Sequence, residues 1–329
     1  MSAVHSDATP ILQIEDLSVS FDTAAGQVKA ADNVSFALHR GETLALVGET
    51  GCGKSVVASS IMQLLPCNAI VRGRAVYAGR DLLGLDEWEM SRIRGSEIAI
   101  VFQNPSLALN PIIRVGDQVA EMLRVRKGAA AAQAMQQARD MLSGLGLQGE
   151  EKMRMYPFQF SGGMNQRVMI AAAMILSPMM IIADEPSKGL DGALAGEVMA
   201  EIARIKTQSG ASLLLITHDL NLARDISDRM AVMYCGEIVE IGRSEDIFNE
   251  PLHPYTAALL GCLPERGFQP IPGSSPSMIN PPSGCKFLPR CPKGSERCRR
   301  KLGMAAVEGR GSTSRGNESI GRKVRCWLC

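Results

Sequence analysis

The stretch Gly48-Glu49-Thr50-Gly51-Cys52-Gly53-Lys54-Ser55 decides the fold. It follows a short apolar run, Thr43 to Val47, and precedes a helical stretch, Ser55 to Leu65, that Pro66 stops. The spacing G-x-x-x-x-G-K-[ST] between strand and helix is that of a loop that wraps phosphates. Its glycines let successive backbone N–H groups turn inward around an anion. The N-terminus of the following helix adds a favourable field. Lys54 would reach the β- and γ-phosphates, and the Ser55 hydroxyl would bind Mg²⁺. A nucleotide site is expected from Gly48 to Val56, inside an α/β fold.

On the N-terminal side, Leu17, Val19 and Phe21 alternate with Ser18 and Ser20, Gly26 marks a turn, and Val34, Phe36 and Leu38 repeat the alternation. An antiparallel sheet at the front of the domain follows. On the C-terminal side, strand signals fade from about Asp86 to Phe160. There Met135, Ala138, Met141, Leu142 and Leu145 recur at helical spacing within Ala129 to Leu145, so a helical insertion is expected. Strand Met179 to Ala183, a helix around Leu194 to Thr207 and strand Leu213 to Ile216 come next. Alternating strands and helices predict a parallel sheet covered on both faces. Met230 to Tyr234 and Ile238 to Ile241, joined through Gly236, predict a closing hairpin.

Composition bounds the function. Hydrophobic residues make up 46% and charged residues 21% of 329, enough for a large buried core. A formal net charge of +1 gives no electrostatic case for a nucleic-acid partner. Met1 to Pro10 carries no basic run followed by an apolar segment, so no secretory signal is visible. The most apolar window, Val168 to Ala183, is shorter than a membrane span and broken at Ser177-Pro178. The chain is expected to be soluble by itself, with any membrane role arising through partners.

Past Asp246 the character changes. Ten of the 17 prolines lie between Pro251 and Pro292, so regular structure should thin out. From Cys285 to Cys329 there are 12 Lys and Arg against 3 Asp and Glu, a local excess of +9. Five of the nine cysteines, Cys285, Cys291, Cys298, Cys326 and Cys329, fall in that stretch. Without an export signal, clustered thiols favour a metal site or free thiols over disulfides.

Two further segments carry chemistry. Met179-Met180-Ile181-Ile182-Ala183-Asp184-Glu185 is an apolar strand ending in two acids. Asp184 would hold the Mg²⁺ shell and Glu185 would polarise the attacking water. Many buried strands end in acids; position downstream of a phosphate loop gives this one its meaning. In Phe160-Ser161-Gly162-Gly163-Met164-Asn165-Gln166-Arg167, two glycines open an apolar helix. Each costs about 1 kcal/mol relative to alanine, so helix stability does not explain them. Exposed N–H groups beside Ser161 would suit a second phosphate-binding surface; a glycine-rich cap is the competing reading.

Phosphate loop, Ser-Gly-Gly signature and Asp-Glu strand, in this order, resemble the ATP-binding-cassette ATPases over about residues 11 to 245. The resemblance implies a P-loop NTPase (RecA-like) fold with an antiparallel β subdomain, a helical subdomain at about 86 to 175, and ATP with Mg²⁺ as ligands. It implies catalytic roles for Glu185, His218 and Lys54, and ATP contacts from Phe21, from Gly48 through Val56, from Gln103 and from Asp184. Phe21 matches the adenine-stacking aromatic, although a core strand residue competes as a reading. Gln103 matches the glutamine that senses Mg²⁺ and faces the membrane subunits, and Asp191 matches the aspartate of the loop linking two active sites. Ser161, Gly162, Gly163 and Met164 would contact the ATP of a partner ATPase. Met164 replaces the common glutamine, as is usual in the peptide and nickel branch. Lys188-Gly189 replaces small residues before Leu190-Asp191, so coupling between sites would differ in detail. Cys52 stands where serine is common, which predicts sensitivity to thiol reagents.

The segment Asn249-Glu250-Pro251-Leu252-His253-Pro254-Tyr255-Thr256 resembles the C-terminal signature of the oligopeptide, dipeptide and nickel importer branch. Gly284-Cys285-Lys286-Phe287-Leu288-Pro289-Arg290-Cys291-Pro292, Cys298 and Cys326 are similar to its cysteine-rich tail, making 246 to 329 an irregular extension. In relatives that tail is implied to hold a [4Fe–4S] cluster; four thiolates suit one. Zinc and plain free thiols are the alternatives, and spacing does not choose Cys326 over Cys329 as distal ligand. Implied partners are two transmembrane permease subunits, a second related ATPase and an extracytoplasmic substrate-binding protein, placing the chain at the cytoplasmic membrane face. Peptide import is the leading expectation; nickel, a metal chelate or another small solute is the alternative. A soluble cassette ATPase of DNA repair or translation is disfavoured because neither a long coiled-coil insertion nor a second cassette is present. A small-molecule phosphoryl transferase would leave Ser161-Gly162-Gly163 unexplained.

Overall fold

The computed structural model describes residues 9–188, 192–307 and 321–329. In chain order the strands are β1 (Leu12–Thr23), β2 (Gly26–Leu38), β3 (Thr43–Val47), β4 (Ala69–Tyr77), β5 (Arg80–Asp81), β6 (Ile98–Val101), β7 (Met180–Asp184), β8 (Ser212–Thr217), β9 (Arg229–Tyr234), β10 (Glu237–Arg243), β11 (Ala305–Ala306) and β12 (Lys323–Val324). The chain divides into two compact units. One joins the segment up to Leu85 with everything from Leu215 onward; the other is Asp86–Leu214.

In the first unit an antiparallel sheet runs β2-β1-β4-β5. β1 and β2 pair from Leu12 opposite Leu38 to Thr23 opposite Gly26, as the alternation predicts. β4 is a difference from the sequence reading, which left Ala69–Tyr77 without an element. Arg72, Gly73 and Arg74 interrupt its apolar pattern, and it forms because β1 offers an edge to pair with. The same unit holds β3 beside β9 in parallel, Leu44 opposite Arg229 through Val47 opposite Val232. All five residues of β3 are buried, the continuous apolar run of a strand covered on both faces. The β9–β10 hairpin turns through Cys235 and Gly236, whose φ values of 47° and 84° are the left-handed pair of a two-residue turn.

In the second unit β6 and β7 run parallel, Ile98 opposite Met180 through Val101 opposite Ala183. β6 lies inside the stretch read as helical; four apolar residues are too short a run to tell strand from helix. Helices Val115–Lys127, Ala131–Gly144, Gly162–Met174 and Gly192–Ser209 are the longest elements of this unit. Ala134, Ala138 and Leu142 give the second of these a buried stripe at spacing four. No helix among the described residues is long and apolar enough to cross a membrane.

The proline-rich tail is better ordered than its composition suggests. It contributes a helix, Pro254–Gly261, held through fully buried Glu240 of β10. That carboxylate accepts the N–H groups of Leu252 and His253 at 3.0 Å each and the Arg322 guanidinium at 2.6 Å. His253 caps the helix: its Nδ1 accepts the Tyr255 N–H at 3.0 Å. Only a neutral imidazole can do this. Burial, helped by the Arg325 charge, pulls the His253 pKa down to about 4.

A pH dependence of stability follows. Below the ordinary histidine value of 6.5 the unfolded chain takes up a proton that the folded chain refuses until about pH 4. Stability from this group is whole above pH 6.5 and falls by up to roughly 3 kcal/mol across the window. Denaturant unfolding from pH 7 to pH 4 should register the fall, and His253→Asn, a cap that does not titrate, should flatten that part of the profile.

Candidate nucleotide-binding site

β3 delivers the phosphate loop into the first unit, and two glycines fix how it lies. Gly48 has φ 153° and Gly53 φ 107°. A Cβ on Gly48 would sit 2.1 Å from the Met233 carbonyl oxygen, and one on Gly53 would sit 2.0 Å from that of Ala30. The loop thus rests backbone against backbone on β9 and β2, and no side chain is tolerated at either point. Gly236 at the hairpin turn adds a bond, its N–H donating to the Cys52 carbonyl at 2.9 Å.

Lys54 is buried within the loop. Its ammonium donates to the carbonyls of Gly48 at 2.8 Å and Glu49 at 3.0 Å. A phosphate would replace these neutral acceptors with charged ones, a favourable exchange. Ser55 and Thr50 are exposed, Val56 half-buried. Glu49 is held from three sides. Its N–H donates to the Tyr255 hydroxyl at 3.0 Å, while its carboxylate accepts from Arg290 at 3.1 Å and Ser275 at 2.7 Å. Tyr255 and Arg290 were quoted in the sequence only as parts of tail motifs. Their partners lie 206 and 241 residues away, and the one hint was a charged residue in a loop built for anions.

Phe21 is half-buried near the end of β1, opposite Val28 and Ala69. His218 is exposed directly after β8. The turn that presents it is built by Thr217, whose hydroxyl accepts the Asp219 N–H at 3.0 Å, and by Asp219, which caps the next helix through Leu222 N–H at 3.0 Å.

The second unit carries the remaining motif residues. β7 ends in half-buried Asp184, followed by buried Glu185 in a left-handed conformation, φ 48°. A non-glycine residue there is uncommon, although Cys235 in the hairpin turn shares the conformation. Ser161 caps the Gly162–Met174 helix, accepting from the Met164 N–H at 3.4 Å. Gly163 is buried, whereas a Cβ on exposed Gly162 would meet nothing within 4 Å. Packing therefore does not require that glycine. Gln103, Leu107, Gly162, Gln166 and Lys188 line one surface recess, and Gln166, 2% exposed, leaves its Nε2 without a partner among the described residues. Asp191 and the neighbouring Gly189 and Leu190 lie outside the described residues.

In the tail, Cys285, Cys291, Cys298 and Cys326 line one largely apolar cavity with Leu288 and Trp327. All nine cysteines are free thiols. Burial raises the thiol pKa of Cys285 and Cys291 and pushes Cys326 up to about 11. Among the described residues no three of His, Cys, Asp and Glu are set closely enough to hold a metal ion. Cys329 instead directs its thiol to the Leu252 carbonyl at 3.7 Å.

Known proteins share this organisation. Residues 31–188 match the "ABC transporter" family model, and residues 239–298 match that of the "Oligopeptide/dipeptide transporter, C-terminal region". The dipeptide transport ATP-binding protein DppD of Bacillus subtilis is 42% identical over 97% of this chain and 94% of its own length. The oligopeptide transport ATP-binding protein OppD of Salmonella typhimurium is 40% identical over 88% of this chain and 89% of its own. Among solved structures, the dimeric post-hydrolysis state of the ATP-binding cassette MJ0796 bound to ADP and Pi superposes with TM-score 0.64, at 26% identity over 71% of this chain and 98% of that one.

One expectation from sequence needs revising here. Cys52 is only 5% exposed, and burial raises its thiol pKa despite the Lys54 charge. Both oppose the sensitivity to thiol reagents that its position in the loop suggests. Alkylation at pH 7.5, read by mass spectrometry, should modify exposed Cys67 and Cys329 well before Cys52.

Proposed function

The chain belongs to the ATP-binding subunits of the ABC transporters, in the oligopeptide/dipeptide branch, and we propose that it hydrolyses ATP to drive import of di- or oligopeptides. The observation that carries this reading is that a phosphate loop and the branch-specific Leu252-His253-Pro254-Tyr255 motif occur in one chain, tied together at Glu49. The names of the most similar relatives support a peptide cargo.

Roles follow from chemistry. Lys54 leaves the loop carbonyls to neutralise the β- and γ-phosphates, and the N–H groups from Gly51 to Val56 cradle them. Phe21, half-exposed, offers a ring face to adenine. The Ser55 hydroxyl, the Asp184 carboxylate and the Gln103 amide are hard oxygen donors that would hold Mg²⁺, which would supply charge neutralisation for the phosphates. Glu185 orients and polarises the attacking water, and His218 donates to the γ-phosphate. Catalysis is thereby positioning and charge stabilisation. Ser161, Gly162, Gly163 and Met164 receive the ATP of a second, related ATPase, and Asp191 communicates between the two sites. An unhindered glycine at a helix N-terminus is what a phosphate approaching from another molecule needs.

The membrane partners are two permease subunits fed by a substrate-binding protein. Exposed apolar residues after β6 support such docking: Leu107 is 86% and Ile112 81% exposed, with Phe102 beside Gln103. Closure of the ATPase pair biases the permease because ATP binds the closed state better.

The tail's four cavity-lining cysteines are the donor set for a [4Fe–4S] cluster. Support lies in the cavity that all four line.

Two experiments test these readings. Glu185→Gln should lower ATP turnover by roughly 100-fold while MgATP still drives pairing of the ATPase subunits in the assembled transporter. Unchanged turnover, or failure to pair with nucleotide present, refutes the assigned chemistry. Protein purified without oxygen should be brown and contain iron and sulfide; a colourless, iron-free preparation removes the cluster.

A further inference from the structure

A glutamate in the phosphate loop is an awkward choice, because the loop exists to hold several negative charges. Around Glu49 the tail has built a neutralising site. One terminal nitrogen of Arg290 donates to both carboxylate oxygens, at 3.1 Å each, and Ser275 donates at 2.7 Å. The guanidinium is itself fixed. Its Nε donates to the Pro272 carbonyl at 2.9 Å, and its other terminal nitrogen to that of Ile271 at 3.3 Å. Its side chain is 6% exposed, and the charge lies 5.9 Å from the ring centres of Tyr234 and Phe287. Burial pulls its pKa down, but the bonds to Tyr234 and Glu49 outweigh that and raise it, so the guanidinium stays protonated.

The backbone of Glu49 is held as well. Tyr255 takes its N–H, so this peptide anchors the loop and leaves the phosphates to later peptides. Tyr255 packs against Tyr234 with ring centres 4.4 Å apart and against Phe287 at 5.4 Å. Phe287 and Arg290 belong to one tight turn, the Arg290 N–H donating to the Phe287 carbonyl at 2.9 Å.

We propose that Arg290 is a positioning residue for nucleotide binding, cancelling the Glu49 charge and fixing the front of the phosphate loop, so that the tail sets the affinity of the ATP site. Arg290 acts through Glu49 and need not touch ATP. With Arg290 removed, Glu49 keeps the Ser275 hydroxyl but loses its countercharge, and the relief open to this partly buried carboxylate is to repel the phosphates or swing aside with the loop. Either movement disturbs Gly48 and the Lys54 perch on the Gly48 and Glu49 carbonyls. The effect falls on ground-state and transition-state binding alike, so KM should change more than kcat.

A double-mutant cycle on the full-length chain tests this, with nucleotide affinity read by titration of a fluorescent ATP analogue and kinetics read in the reconstituted transporter. Arg290→Gln should raise Kd and KM for MgATP about tenfold and change kcat less than about threefold. Glu49→Gln added to Arg290→Gln should restore affinity to within about threefold of wild type, because the stranded charge is gone. Arg290→Lys should fall between, keeping the charge without the fork. If Arg290→Gln does not fold, the cycle is run with Arg290→Met, which also removes the charge. The proposal fails if the arginine variant binds MgATP as tightly as wild type. It fails equally if the double variant is no better than the single one, the result of a merely structural arginine. The inference rests on the ATPase reading, and the two fail differently: a wild-type chain without ATP turnover sinks the reading, whereas variants matching an active wild type sink only Arg290.

Discussion

The close approach of the phosphate loop to two backbone carbonyls, Met233 on β9 and Ala30 on β2, governs the rest of the first unit. At about 2 Å from an imaginary Cβ there is no slack, so β9 must hold one register against β3. A slip by one residue would displace the Met233 carbonyl by roughly 3.3 Å and bring one that points to the opposite neighbour in its place. The register is pinned at the far end of the strands. Arg229 pairs with Glu42 at 3.1 Å, both almost fully buried, and the Asp228 carboxylate accepts the Thr43 N–H at 2.7 Å. Breaking one member of such a pair typically costs about 3–5 kcal/mol, a large share of a domain's margin of about 5–15 kcal/mol. An ion pair well away from any ligand thus decides where the loop can lie.

How legible this was depends on the range of the interaction. The loop, the Asp184-Glu185 strand end and the Ser161 cap are local patterns, and each sits on the element predicted for it. β4 and β6 were not legible. One carries Arg72-Gly73-Arg74 through its middle and relies on β1 for pairing; the other is four residues long. Phe21 kept two readings because a half-buried residue near a strand end satisfies both. The partners of Glu49 could not be found at all, since no periodicity links residues more than 200 positions apart. The acid in an anion-binding loop is the kind of local conflict that accompanies a functional compromise, and its meaning came only with its partners.

Read residue by residue, the tail signature becomes a chain of supports. Glu240 fixes the peptides of Leu252 and His253, His253 starts the helix, and that helix places Tyr255 under Glu49. A parallel route runs through Lys286, which donates to Asp32 at 2.9 Å and to the Cys235 carbonyl at 3.0 Å. The Lys29 N–H donates to the Met278 carbonyl at 2.9 Å. These contacts fall on β2 and the β9–β10 turn, the same backbone on which the phosphate loop rests. Extension and loop share one foundation, which is why both fall in the same compact unit even though the proline content suggested a loose appendage.

The turn from Cys285 to Cys291 has two faces. Phe287 and Arg290 look toward the phosphate loop, whereas Cys285, Leu288 and Cys291 line the cavity. Charge makes the first face matter. At an effective dielectric near 20, a bare carboxylate roughly 8 Å from one phosphate charge contributes about 2 kcal/mol of repulsion, more than tenfold in affinity. Neutralising Glu49 from within the loop would require a second cation competing with Lys54 for the same phosphates. Bringing the cation from the tail, already committed to carbonyls and ring faces, leaves Lys54 as the loop's own mobile charge and keeps the two functions on separate residues.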